Sequence, residues 1–184
     1  MHLFKGKHIG FLVLLAVLPA LYGCPMPPET VSSVDLDRYL GLWYEIASYP
    51  TFFNRDLVGT TAEYSLREDG RIRVYNRAFV GDFDGPIDDI EGTARVVDTQ
   101  TNAKLAVSFA SVPFGNLFEG RYWIIDLDEE AYSYAVVSDP FRSTLFILSR
   151  SPQIDEAVLD AILDRLEAQG FDLTRLTYTP QLVL

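Results

Sequence analysis

Residue types able to do chemistry are scarce in this chain. Among 184 residues there is one cysteine, Cys24, and two histidines, His2 and His8. Both histidines precede Cys24, in a segment with Lys5, Lys7 and an uncharged apolar run from Ile9 to Leu18. That run of about 10 residues is roughly 15 Å long as a helix, against the ~20 residues needed to span a bilayer. With its cationic flank it reads as a secretory leader covering residues 1–23. The remaining chain contains no histidine, which excludes a Ser–His–Asp nucleophile system, a histidine-ligated haem and an ordinary zinc site. A single thiol also excludes an intrachain disulfide. Catalysis would have to run on carboxylates, tyrosines, lysine or arginine. Asp82, Asp84, Asp88 and Asp89, with Gly81 and Gly85, superficially suggest calcium, but they lack the twelve-residue loop and its terminal bidentate Glu. They read as a solvated hairpin, and Asp128-Glu129-Glu130 as a charged turn. No catalytic residue, metal or cofactor is expected.

Charge narrows the partners. Without Lys5 and Lys7, 13 cations face 26 carboxylates, a formal charge of −13. Such a balance disfavours nucleic acid and electrostatic adhesion to anionic lipid.

The elements that must position any site are mostly strands. Residues 24–37, with prolines at 25, 27 and 28, read as a tether. About eight apolar runs of strand length follow: Leu42–Ser48, Val58–Arg67, Arg71–Val80, Ile90–Val97, Lys104–Ala110, Tyr122–Leu127, Tyr132–Ser138 and Thr144–Arg150. Glu68-Asp69-Gly70 between the second and third is a tight hairpin signal. The third alternates, with Ile72, Val74, Asn76 and Ala78 on one face and Arg71, Arg73, Tyr75 and Arg77 on the other, so one side is enclosed and one is wet. Asp155–Gln169 places Val158, Leu159, Ile162, Leu163 and Leu166 on one helical stripe. Ser151-Pro152 or Asp155 can start that helix, and Gly170 stops it. Leu176–Thr179 reads as a last strand. Hairpin-length connections predict an all-β fold: an eight-stranded up-and-down antiparallel barrel with one C-terminal helix packed outside, over residues 38–184.

Three motifs carry a family resemblance. Gly41-Leu42-Trp43 resembles the G-x-W signature of lipocalins, Ser138-Asp139-Pro140 their second conserved turn, and Leu145-Phe146-Ile147-Leu148-Ser149-Arg150 their third region. With Tyr64-Ser65-Leu66, Val74-Tyr75-Asn76 and Gly120-Arg121-Tyr122-Trp123, the pattern over about residues 36–180 is similar to the apolipoprotein D-like lipocalins of bacterial outer membranes. Leu21-Tyr22-Gly23-Cys24 resembles the lipobox of bacterial lipoproteins, where the cysteine is acylated; an ordinary leader with a chance cysteine is the other reading. Pro25 is not the aspartate that retains enteric lipoproteins at the inner membrane. The resemblance thus implies a lipid anchor on Cys24 at the periplasmic face of an outer membrane.

It also implies a structural plug, with Trp43 across the closed end and Arg150 stacked on its indole. Strand alternation together with the resemblance places Ala47, Tyr64, Asn76, Phe109, Tyr122, Phe146 and Leu148 inside the barrel as ligand-binding residues. Apolar walls with a few hydroxyl and amide groups suit a fatty acid or lysophospholipid, bound reversibly for storage, transport or envelope maintenance. Two other readings stay open: an enzyme of this fold acting on a hydrophobic substrate, and a scaffold using the aromatic loops Ala110–Glu119 and Tyr49–Phe53. Those loops suit a mouth rim, a membrane contact or a packed lid, and an exposed apolar mouth leaves a homodimer open.

Overall fold

The computed structural model describes residues 26–51, 54–110 and 119–182. The expected leader, Cys24, Phe52-Phe53 and the segment 111–118 lie outside the described residues. Nine strands form one antiparallel sheet: β1 (Gly41–Ser48), β2 (Leu57–Leu66), β3 (Ile72–Val80), β4 (Ile87–Val96), β5 (Lys104–Ser108), β6 (Gly120–Leu127), β7 (Tyr134–Ser138), β8 (Leu145–Ser149) and β9 (Thr177–Tyr178). The sheet closes because β1 pairs with both β2 and β8. The result is an eight-stranded barrel with one extra strand. β9 pairs with the second half of β1, at Ala47 and Ser48, beyond the Gly41–Tyr44 stretch that pairs with β2. It extends towards β2 through Gly59, whose N–H donates to the Pro180 carbonyl (2.8 Å).

Two apolar clusters account for the packing. The inner one fills the barrel with Trp43, Tyr64, Val74, Leu105, Ile124, Val137 and Leu148. The outer one lies under helix α2 (Glu156–Ala168) and joins Ile46, Ile125, Val136 and Ile147 to Ile162 and Leu166. Strands β7 and β8 are therefore apolar on both faces, one face turned to each cluster. Asp155 starts α2, its side chain accepting from the Ala157 and Val158 N–H groups, a cap that satisfies donors the helix itself cannot. Of the expected stripe, Ile162 and Leu166 are buried, whereas Val158 is 36% exposed at its edge.

Residues expected to form a free tether are docked. Val34 is 3% exposed, its N–H donating to the Thr101 carbonyl (2.7 Å), and Val31 N–H donates to the Ile124 carbonyl (3.1 Å). A short helix, α1 (Leu36–Tyr39), capped by Asp35, delivers Tyr39 into the inner cluster. Proline-rich composition conceals these contacts, since their partners lie far along the chain.

The turn after β7 is held by one carboxylate. Asp139 accepts from the Phe141 N–H (2.6 Å), Ser143 Oγ (2.6 Å), Thr144 N–H (2.6 Å) and Thr144 Oγ1 (2.8 Å). Burial alone would raise its pKa, but the bonds from Ser143, Phe141 and Thr144 hold the carboxyl below the usual range. Its stabilisation is therefore present above the unfolded carboxylate's pKa and is lost as pH falls through the lower folded value. Asp139→Ala is expected to cost about 2–4 kcal/mol at pH 7, since four donors lose their acceptor. Denaturant titrations should show the gap to the parent protein shrinking at acid pH.

Candidate functional site

The barrel floor is built around Gly41, Trp43 and Arg150. The Arg150 guanidinium carbon lies 3.7 Å from the Trp43 ring centre. Its Nη1 donates to the Leu42 carbonyl (2.8 Å), and its Nη2 faces the carbonyls of Arg38 (2.7 Å), Tyr39 (3.2 Å) and Leu40 (2.9 Å). The α1 carbonyls left unpaired at the helix end are thus satisfied by a cation. Trp43 is fully buried, and its Nε1 donates to the Tyr39 carbonyl (2.8 Å). Gly41 has φ +96°, and a Cβ there would lie 3.3 Å from Arg150 Nη1. Only glycine takes that backbone at little cost.

Above the floor sits a hydroxyl chain. The Tyr122 hydroxyl lies 2.7 Å from that of Tyr39 and 3.0 Å from that of Tyr64. Burial raises all three phenols, Tyr64 to about 12, so they stay neutral donors and acceptors. Three hydroxyl protons serve two mutual bonds, which leaves one hydroxyl proton free to donate elsewhere.

Nearer the mouth, β1 turns a carboxylate inward. Glu45 is 7% exposed and accepts from Ser48 Oγ (2.9 Å) and from Thr179 Oγ1 of the C-terminal segment (2.5 Å). Burial raises its pKa, partly offset by the bonds from Thr179 and Ser48. An acid with a raised folded pKa costs stability as pH climbs above the unfolded value, about 4.3, because the unfolded chain ionises first. Glu45→Gln keeps an acceptor for both hydroxyls. It is expected to melt several degrees higher than the parent at pH 8, with the difference vanishing near pH 4. A constant difference across pH would mean that the carboxyl is ionised throughout.

Among the described residues two buried side-chain oxygens lack a hydrogen-bond partner, Gln169 Oε1 at the end of α2 and, inside the barrel, Asn76 Oδ1. Asn76 pairs with Ala62 on β2 and Ile90 on β4. On β4, Gly92 makes room for a neighbour, since a Cβ there would meet the Phe109 ring at 2.7 Å and the Ser108 carbonyl at 2.8 Å.

Of the seven residues expected to line the barrel, Tyr64 and Leu148 are buried in the inner cluster, and Phe109, Tyr122 and Phe146 pack against it. Asn76 lies on the same face of β3 as Val74. Ala47 does not join them. Pairing with β8 shifts register between Glu45 and Ala47, so that Ala47 faces Ile147 and belongs to the outer cluster. A bulge inserts one residue and exchanges the faces beyond it. Ser48 takes the inward position instead, opposite Phe146. Tyr39, Ser48 and Thr179 were not anticipated from the sequence. Glu45 was not among the expected lining residues either, although period two from Trp43 puts it on the same face.

A groove of about 460 Å³ lies outside the barrel, lined by residues including Ile46, Pro152, Ile154, Tyr178 and Gln181. It holds no unpartnered buried polar atom, so the interior is the stronger candidate.

Comparison with known proteins agrees with this geometry. A lipocalin-like domain profile matches residues 34–181. The chain is 42% identical over 174 residues to outer membrane lipoprotein Blc of Vibrio cholerae, covering 93% of this chain and 97% of the relative. It is 32% identical to apolipoprotein D of Macaca fascicularis, covering 94% and 96%. Among solved structures, insecticyanin from the tobacco hornworm Manduca sexta superposes with a TM-score of 0.64 at 21% identity, covering 86% of this chain and 85% of that one, a likeness of fold. On the closed barrel, its Gly41–Trp43–Arg150 floor and these matches, the chain belongs to the lipocalin family.

Proposed function

We propose that this lipocalin is an outer membrane lipoprotein, anchored through acylated Cys24 at the periplasmic face, that reversibly binds fatty acids or lysophospholipids in its barrel. The observation that carries the reading is the interior itself: apolar walls interrupted by a partnerless amide oxygen at Asn76 and by hydroxyl groups at Tyr39, Tyr64 and Tyr122. An orphaned buried acceptor costs free energy unless a bound molecule completes it. The name of the Vibrio cholerae relative supports the anchor and the outer membrane. Binding is an equilibrium in which no bond is made or broken. A ~16-carbon chain gains on the order of 10 kcal/mol gross from burial. Lost freedom takes back much of this, leaving affinity in roughly the micromolar range.

Native mass spectrometry of residues 25–184 purified from cells, followed by lipid extraction, tests the reading. A stoichiometric fatty acid or lysophospholipid is the expected adduct. A bare mass that also ignores added lipids overturns the proposal, and a chemically altered lipid would point to catalysis. Asn76→Leu adds a discriminating variant. It is expected to stabilise the empty domain by about 1–2 kcal/mol by removing the orphan. Ligands that hydrogen-bond the amide should bind about tenfold more weakly to it, a loss of about 1.4 kcal/mol. A fluorescent fatty-acid displacement titration reads that change directly.

A further inference from the structure

The barrel has a floor and a mouth, and the N-terminal segment joins them. Val34 bonds the β4–β5 turn at Thr101, beside the Trp43–Arg150 floor. Eight residues earlier the segment has reached the other end, where the Met26 carbonyl accepts from Arg142 Nη1 (2.8 Å) in the β7–β8 loop. Cys24 precedes Met26 by two residues, a span of at most about 7 Å. The acylation site therefore attaches at the mouth, with no slack to swing the domain over.

The mouth is not uniform. On the β7–β8 rim Phe141 is 78% exposed and Met26 79%. Arg121 stands 5.9 Å from the Phe141 ring, Arg142 holds Met26, and Arg175 donates to the Ser143 carbonyl (3.4 Å). None of these three cations is in an ion pair among the described residues. The β3–β4 hairpin, half-way round an eight-stranded barrel, carries Asp82, Asp84, Asp88 and Asp89. It also exposes Val80 and Ile87, but its carboxylates have to stay hydrated and are repelled by anionic headgroups.

We propose that the β7–β8 rim lies on the lipid leaflet that holds the Cys24 acyl chains, so that the barrel tilts and its mouth opens onto that leaflet. The inference rests on the lipoprotein reading above. Phe141 and Met26 enter the headgroup boundary, and Arg121, Arg142 and Arg175 face lipid phosphates. The acidic β3–β4 rim points to water. A ligand then passes between leaflet and barrel without crossing bulk solvent.

The acylated full-length protein tests this on phosphatidylethanolamine–phosphatidylglycerol vesicles whose acyl chains carry a fluorescence quencher. The thiol of Cys24 is consumed by the anchor, so one introduced cysteine is the sole labelling site. Three variants, Phe141→Cys, Asp84→Cys and Thr99→Cys, place a fluorophore at the proposed contact, the opposite rim and the floor. Quenching at 141 with none at 84 or 99 is expected. Equal quenching at all three, or none at 141, on protein whose Cys24 peptide carries the acyl mass overturns the orientation and leaves the anchor standing. A Cys24 peptide without acyl chains overturns both. In parallel, Phe141→Ser should slow extraction of a fluorescent lysophospholipid from vesicles about tenfold, with binding of the same probe from detergent-free buffer unchanged. Unaltered extraction also refutes the proposal.

Discussion

Replacing Arg150 with alanine is expected to destabilise the domain by about 3–4 kcal/mol, and Trp43→Ala by about 4–5 kcal/mol, measured by urea denaturation. Arg150 is bonded to carbonyls that close the floor and covers an indole that is itself fully buried. Deleting the guanidinium strands several carbonyls at the end of α1, and deleting the indole leaves a cavity as well as an unsupported cation. Because burial already lowers the Arg150 pKa, the cation is partly desolvated, where stacking on an aromatic ring is worth most. The double variant should therefore cost less than the two single costs added together, by about 1–2 kcal/mol. Arg150→Lys should recover little, because an ammonium cannot fork across carbonyls while lying flat on a ring. Strict additivity would show that the two side chains act independently.

Tyr122→Phe is expected to cost about 2–3 kcal/mol, more than either Tyr39→Phe or Tyr64→Phe. Its hydroxyl is the shared partner of the other two, so its loss orphans two buried groups where loss of an outer hydroxyl affects only one bond. Changing all three to phenylalanine should be closer to neutral than the Tyr122 substitution alone, since no polar atom is then left unmatched. Tyr122→Phe alone should raise the Tyr64 phenol still further, because the bond from Tyr122 is what opposes its burial. Alkaline absorbance titration reads that shift. If the triple variant proves the least stable, the hydroxyls contribute net binding energy and the orphan argument fails.

Much of this architecture is legible in the chain itself. Eight strands fall within a few residues of their expected limits, because period-two alternation and turn residues are local properties. β4 begins earlier than expected, at Ile87 rather than Ile90. Its acids pair across β3, with Tyr75 donating to Asp89 (2.7 Å), so a run that looks like loop is a wet strand edge. The floor was readable because Trp43 and Arg150 sit at fixed places in recognisable motifs. What was hidden depends on distant partners: the bulge that turns Ala47 out and Ser48 in is set by register against β8. The docking of residues 26–37 rests on bonds to Thr101, Ile124 and Arg142, none of which leaves a trace in local composition. Tyr39 and Thr179 were missed for that reason.

The seam between β1 and β2 has a consequence for the order of events in the protein's life. β1, near the start of the domain, finds one neighbour in β8 about a hundred residues later and another in the last few residues, where Thr179 N–H donates to the Ile46 carbonyl and Gln181 Nε2 ties the Glu45 carbonyl to that of Thr60. Pairings that span most of a chain form slowly, because loop closure must come first. A nascent chain emerging from the amino end cannot close its cylinder until β8 has been made. Until then β1 keeps an unpaired edge, which the growing chain has to hold back from pairing elsewhere.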